Sequence, residues 1–355
     1  MRIEQIDPNF LAGSNLAGRD FVWKDACNGE FELRGVMKDE ESGFIRIPRD
    51  VLTHFSEYVG ILSTHTAGGR FRFRTNASAI AFRAKPLHSG MMSHMPLTGS
   101  DGLDVYINGK FALCVRPVGT NCEWFEGMYQ NNQGEAEVEI NMPLYNGIKT
   151  LLIGIEDGEV FPARKYTVEQ PVIYYGSSIT QGGCASRPGN SYQGFVSREL
   201  DTDHINLGFS GNAKGEKEMA EYIASIDSAA FVMDYDHNAP TSEHLQNTHE
   251  PFFKVIREKK PLLPVIFISR PNYESNPKES DIRRSIIYKT YENAVNAGDR
   301  LVWFIDGETL FGKEERDGCT VDGAHPNDFG FYRMAKTIAP VLKEALERAA
   351  EENKR

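Results

Sequence analysis

Cysteine is scarce in this 355-residue chain: five thiols (Cys27, Cys114, Cys122, Cys184, Cys319), odd in number and without a C-x-x-C pair. That excludes a disulfide frame and a zinc knot and fits reduced thiols. Positive charge is also in deficit, with 39 Lys and Arg against 50 Asp and Glu and a net charge of -11. Such a field repels phosphate backbones and anionic bilayers, so neither nucleic acid nor a membrane is expected as a partner. No apolar run approaches the length of a membrane span. The opening "MRIEQIDPNFLAGSNLAG" has no basic end, apolar stretch and small-residue cleavage site, so a cytoplasmic location is expected. What remains is ordinary globular composition, 40% hydrophobic and 25% charged, in a chain long enough for two domains.

The two halves have different hydrophobic periods. Over residues 1–165 the pattern alternates, most plainly in "RFRFRTNASAIAFRAK", where Phe71 and Phe73, then Ile80 and Phe82, are separated by other residues. "GLDVYINGKFALCVRP" holds two such runs around Asn108-Gly109, the pair best suited to a two-residue hairpin turn. "EAEVEINMP" and "KTLLIGIED" add strands. Many short strands with few helical stretches predict an antiparallel β-sandwich of jelly-roll type. Over residues 166–355 short apolar runs ("PVIYY", "HINLGF", "AAFVMDY", "LPVIFIS", "LVWFID") alternate with amphipathic segments near 192–200, 216–223, 242–259, 280–297 and 329–349. That order predicts an α/β domain with a doubly wound parallel sheet, and a site at the carboxyl ends of its strands.

Those ends carry polar residues. The first run closes on Gly176-Ser177-Ser178, the second on Gly208-Phe209-Ser210-Gly211-Asn212, the third on Asp234-Tyr235-Asp236-His237-Asn238, and a late loop reads "DGAHPND". A serine nucleophile needs a base, and the base needs an orienting carboxylate. His325 and Asp322 supply both, and glycine N–H groups and an asparagine amide supply donors for an oxyanion. In this order the four segments resemble the SGNH (GDSL-type) hydrolase superfamily. The resemblance implies Ser178 as nucleophile, Asp322 and His325 as its partners, and an oxyanion hole of Ser178, Gly211 and Asn238. Ser177 stands where many members keep aspartate, and "MDYDHNAP" departs from the usual Gly-x-Asn-Asp around Asn238. The first half carries Gly102-Leu103-Asp104-Val105-Tyr106, similar to the G-x-D-L-Y motif of a two-domain subgroup whose relatives include carbohydrate acetylesterases and some acyltransferases.

A serine esterase acting on O-acetylated oligosaccharides, such as xylan or mannan fragments, is therefore expected, with no cofactor and no metal. An acyltransferase using the same acyl-enzyme and an inactive sugar-binding protein are the alternatives. A weaker metal-hydrolase reading groups Asp234, Asp236 and His237 near His325 and Asp322. Arg187, His237 and Arg270 are candidate substrate contacts, Trp124 a candidate stacking surface, and Cys184 a packing residue. The broad sandwich face suggests a homodimer.

Overall fold

The computed structural model describes residues 3–7, 10 and 16–352; much of the opening segment read for a targeting signal lies outside the described residues. Two antiparallel sheets make up the first half. One runs Val22–Asp25, Ile148–Glu156, Ala79–Pro86, Phe125–Gln130 in spatial order. The other runs Val160–Phe161, Arg70–Thr75, Ala136–Asn141, Leu103–Ile107, Lys110–Val115, with Glu32–Arg34 also paired to Arg70–Thr75. Phe71, Phe73, Val105, Val138 and Ile140 of one sheet share a buried core with Ile80, Phe82, Leu151 and Ile153 of the other. The alternating pattern thus sends one face of each sheet inward. Asn108 and Gly109 take positive φ, 50° and 74°, and close the Leu103–Ile107 hairpin as their sequence requires.

The second half is a five-stranded parallel sheet ordered Thr202–Gly208, Val168–Gly176, Ala230–Asp234, Val265–Ile268, Val302–Ile305. Alternate residues of each strand feed two cores. Val172, Tyr174, Val232 and Ile266 pack with Val196 of helix Tyr192–Leu200 and with Phe331 and Ile338 of helix Asp328–Glu352. Ile173, Tyr175, Phe231 and Met233 pack with the helices Lys217–Ser225, Ser242–Lys259 and Pro277–Asn296. Both faces are covered, which is why the strands read as continuous apolar runs. The strand order reverses between the first and third strands in sequence, and at such a switch point diverging connections leave a crevice at the carboxyl ends.

The halves are joined by buried polar contacts. The Asp104 carboxylate of the G-x-D-L-Y-like motif accepts the Gly189 N–H at 2.8 Å, and Arg70 pairs with Asp203. Burial pushes Asp104 up to about 6, against the pull of Gly189, Arg187 and Arg198. The motif is a junction between the halves. Among the described residues no helix is long and apolar enough to cross a membrane.

Candidate active site

Ser178 opens the short helix Ser178–Gln181 directly after the first parallel strand. Ser177 is its N-cap: the Ser177 hydroxyl accepts the Ile179 N–H at 3.1 Å, which spends that side chain on local structure. Ser178 is half-buried, and its Oγ lies 2.8 Å from His325 Nε2. His325 Nδ1 lies 2.7 Å from Asp322 Oδ2. The Asp-x-x-His spacing builds its own turn, because Asp322 Oδ1 accepts the N–H groups of Ala324 at 3.0 Å and His325 at 2.8 Å. One carboxylate oxygen shapes the loop and the other orients the ring. Burial alone would raise Asp322, but those N–H bonds and the imidazole outweigh it and hold the carboxyl at about 2. An acceptor-only carboxylate there keeps the proton on Nδ1, leaving Nε2 free to take one from Ser178.

The second strand end runs beneath this turn. A side chain on Gly208 would meet the Gln181 backbone nitrogen at 2.1 Å, so only glycine lets the loop approach the helix that Ser178 opens. Gly211 follows at φ 69°, with open space where a side chain would stand. Asn238 Nδ2 donates to Phe209 O at 2.7 Å, tying the third strand end to the second with one amide hydrogen and leaving the other for a ligand. His237 lies beside it, with Nε2 buried and without a partner among the described residues. Burial, then the charges of Arg270 and His325, hold its imidazole down at about 3, in the neutral form.

Further sequence candidates already have protein contacts of their own. The Arg187 guanidinium stacks 3.8 Å from the Phe111 ring centroid and lies 3.9 Å from Asp104, at the junction of the halves. Arg270 donates from Nε and Nη2 to Ser280 Oγ, at 3.1 and 2.9 Å. Trp124 sits on the sandwich near Lys85. The acidic group considered for a metal is taken up internally: Asp234 accepts from Thr180 and Tyr192, both at 3.0 Å, and Asp236 from Arg283 and the Arg270 N–H.

The sandwich supplies residues that sequence patterns did not single out. Tyr145 Oη is 2.8 Å from Ser210 Oγ, and Gln181 Oε1 accepts Ser210 N–H at 3.1 Å. Arg46, fully buried, donates from Nη1 to the carbonyls of Asn206 at 3.0 Å and Gly208 at 2.7 Å, and from Nη2 to Leu62 O at 2.7 Å. Burial pulls it down to about 9, so it remains charged near neutrality. The ring of His94 meets that of His325 edge to face at 5.6 Å. These contacts join residues far apart in the chain, which no local spacing announces.

A serine at a strand-to-helix turn, an Asp-x-x-His loop, and glycine and asparagine donors now meet at one sheet edge. The sequence profile of the GDSL-like lipase/acylhydrolase family matches residues 169–343, and that of the N-terminus of SGNH-hydrolase-type esterases, with the G-x-D-L-Y motif, matches 21–161. A candidate GDSL-like lipase from Bacteroides ovatus is 31% identical, superposes with a TM-score of 0.82, and is covered over 98% of its chain by 92% of this one. The chain belongs to the GDSL-like lipase/acylhydrolase family. A salicylyl-acyltransferase from a tetracycline biosynthetic pathway is 19% identical, with a TM-score of 0.77 over 92% of this chain and 99% of its own. A family two carbohydrate esterase from Cellvibrio japonicus is 12% identical, with a TM-score of 0.62 over 92% and 98%. These last two share the fold. Among curated proteins none matches.

Proposed function

We propose that this family member is a serine esterase that removes O-acetyl groups from carbohydrates, hemicellulose-derived oligosaccharides in particular. The observation that carries the reading is the continuous relay from Ser178 Oγ through His325 to Asp322, at 2.8 and 2.7 Å. Ser178 attacks the ester carbonyl as its proton passes to His325 Nε2. The oxyanion is received by the N–H groups of Ser178 and Gly211 and the amide of Asn238. Collapse breaks the bond to the sugar oxygen, which leaves with the proton returned by His325. Water, deprotonated by the same nitrogen, then attacks the acetyl-enzyme and releases acetate.

A side chain on Gly183 would stand 3.0 Å from Tyr145 Oη and 3.4 Å from His325 Cδ2, so glycine keeps the space beside the histidine open. A carbohydrate alcohol is supported by the two-domain layout common to this chain and the Cellvibrio japonicus carbohydrate esterase. The same layout extends to the salicylyl-acyltransferase, which favours acyl transfer as the second reading. Acetylated xylan, mannan and pectin oligosaccharides, assayed for acetate and read by NMR, test the first; a sugar alcohol added as competing acceptor tests the second. Acetate release from none of these substrates, with hydrolysis confined to long acyl esters, would refute the carbohydrate reading.

A further inference from the structure

Three donors that bind soft or borderline metal ions converge at the catalytic histidine. His94 arrives from the loop preceding the G-x-D-L-Y-like motif, Cys184 from the end of the nucleophile turn, and His325 from the Asp-x-x-His loop. Their ligand atoms all lie within 4.8 Å of one another. In a tetrahedral zinc site with Zn–N of about 2.0 Å and Zn–S of about 2.3 Å, neighbouring donors stand roughly 3.3 to 3.6 Å apart. Modest side-chain rotation closes the set. Cys184 is buried and adopts φ 74°, the left-handed region where glycine is relaxed and a side chain is not. The chain nevertheless keeps a thiol at this position, after two glycines, pointing its sulfur at the histidine pair.

We propose that His94, Cys184 and His325 form an inhibitory Zn2+ site. Two imidazoles and a thiolate are a donor set that favours zinc over calcium or magnesium, and three protein ligands leave one position for water. The ion replaces the Cys184 thiol proton, which passes to solvent. Whichever nitrogen His325 gives the metal, it surrenders either Ser178 Oγ or Asp322 Oδ2, because both ring nitrogens are engaged in the relay. Occupancy therefore switches the esterase off without touching the fold. The loss of activity rests on the Ser178–His325 reading above; the binding does not.

Metal-free protein titrated with ZnCl2 in a calorimeter is expected to take up one ion per chain. Hydrolysis of p-nitrophenyl acetate falls at least about tenfold at saturation and returns with EDTA. Co2+ in place of zinc gives a thiolate-to-metal charge-transfer band that Cys184→Gly abolishes. Both Cys184→Gly, which relaxes the backbone, and His94→Ala weaken zinc binding by at least about tenfold, the loss that removal of even a supporting partner brings. Inhibition of each variant, scaled to its own metal-free rate, moves to higher zinc in step. Unchanged affinity in either variant, or cobalt bound without a thiolate band, overturns the site. Zinc bound at these residues with activity intact overturns the inhibition. If Ser178→Ala still hydrolyses the ester, the functional reading fails while calorimetry continues to decide the binding.

Discussion

Arg46 of the sandwich half donates from Nη1 to the carbonyl oxygen of Gly208, 2.7 Å away, at the root of the loop that carries Gly211. A buried guanidinium facing carbonyl groups, with its ring-face contact to Phe209 at 4.5 Å, fixes that loop from outside the catalytic half. Arg46→Met keeps the bulk and removes the side-chain donors to the carbonyls of Leu62, Asn206 and Gly208. Unfolding in urea is expected to show a loss of roughly 3 kcal/mol or more. Among molecules that remain folded, kcat falls about tenfold to a hundredfold as the oxyanion donors drift. An unchanged kcat would mean that the loop holds its position without the sandwich.

Gly211 and Asn238 separate by the nature of their donors. Asn238→Ala removes a side-chain donor together with its tie to Phe209 O, so kcat falls about 10^2- to 10^3-fold. Gly211→Ala retains the N–H and has open space around the new methyl, but at φ 69° the backbone resists it. A smaller loss of kcat with a measurable drop in melting temperature is expected. Stopped-flow rates and thermal melts on the two variants distinguish these outcomes; equal losses of kcat would contradict the assignment.

Asp322→Asn tests orientation against structure. The amide oxygen can still accept the N–H groups of Ala324 and His325, so the turn and the melting temperature persist. What changes is the partner of Nδ1, and kcat drops by roughly 10^3- to 10^4-fold as the imidazole loses its fixed tautomer. In the parent enzyme the Asp322 carboxyl titrates at about 2, so this group does not produce an acid limb in the rate profile above about pH 4. A variant that kept near-parental kcat would reduce Asp322 to a turn former.

Asp234 gives a stability signature instead. It is fully buried between Thr180 and Tyr192, and burial pushes it up to about 7. A carboxyl raised in the folded state holds a proton that the unfolded chain releases near its usual 3.8. Its contribution is full below that point, declines as pH rises, and is gone above about 7. The decline is at most of the order of 4 kcal/mol, which Asp234→Asn should flatten. Denaturation midpoints between pH 4 and 8 measure it, and a parental slope in the variant would contradict it.

Legibility followed the range of the interactions. The parallel sheet and its helices were readable because strands covered on both faces are apolar throughout, and the helix at 192–200 falls where its pattern put it. Ser178, His325 and Asp322 stood out because a strand-end serine and an Asp-x-x-His turn are local signatures with a chemical reason. His94, Tyr145 and Arg46 were invisible, since each acts on a residue brought near only by the docking of the two halves. Arg187 lies close to Ser178 in sequence, yet its contacts with Phe111 and Asp104 arise from the same docking and no local spacing announces them.

Ser178, and not its neighbour, is expected to form the acyl-enzyme. A fluorophosphonate probe with intact-mass and peptide mapping addresses it directly, because only an activated hydroxyl is phosphonylated quickly. A single adduct is expected on Ser178, undiminished in Ser177→Ala and absent in Ser178→Ala. An adduct on Ser177, or ester hydrolysis that survives Ser178→Ala, would contradict it.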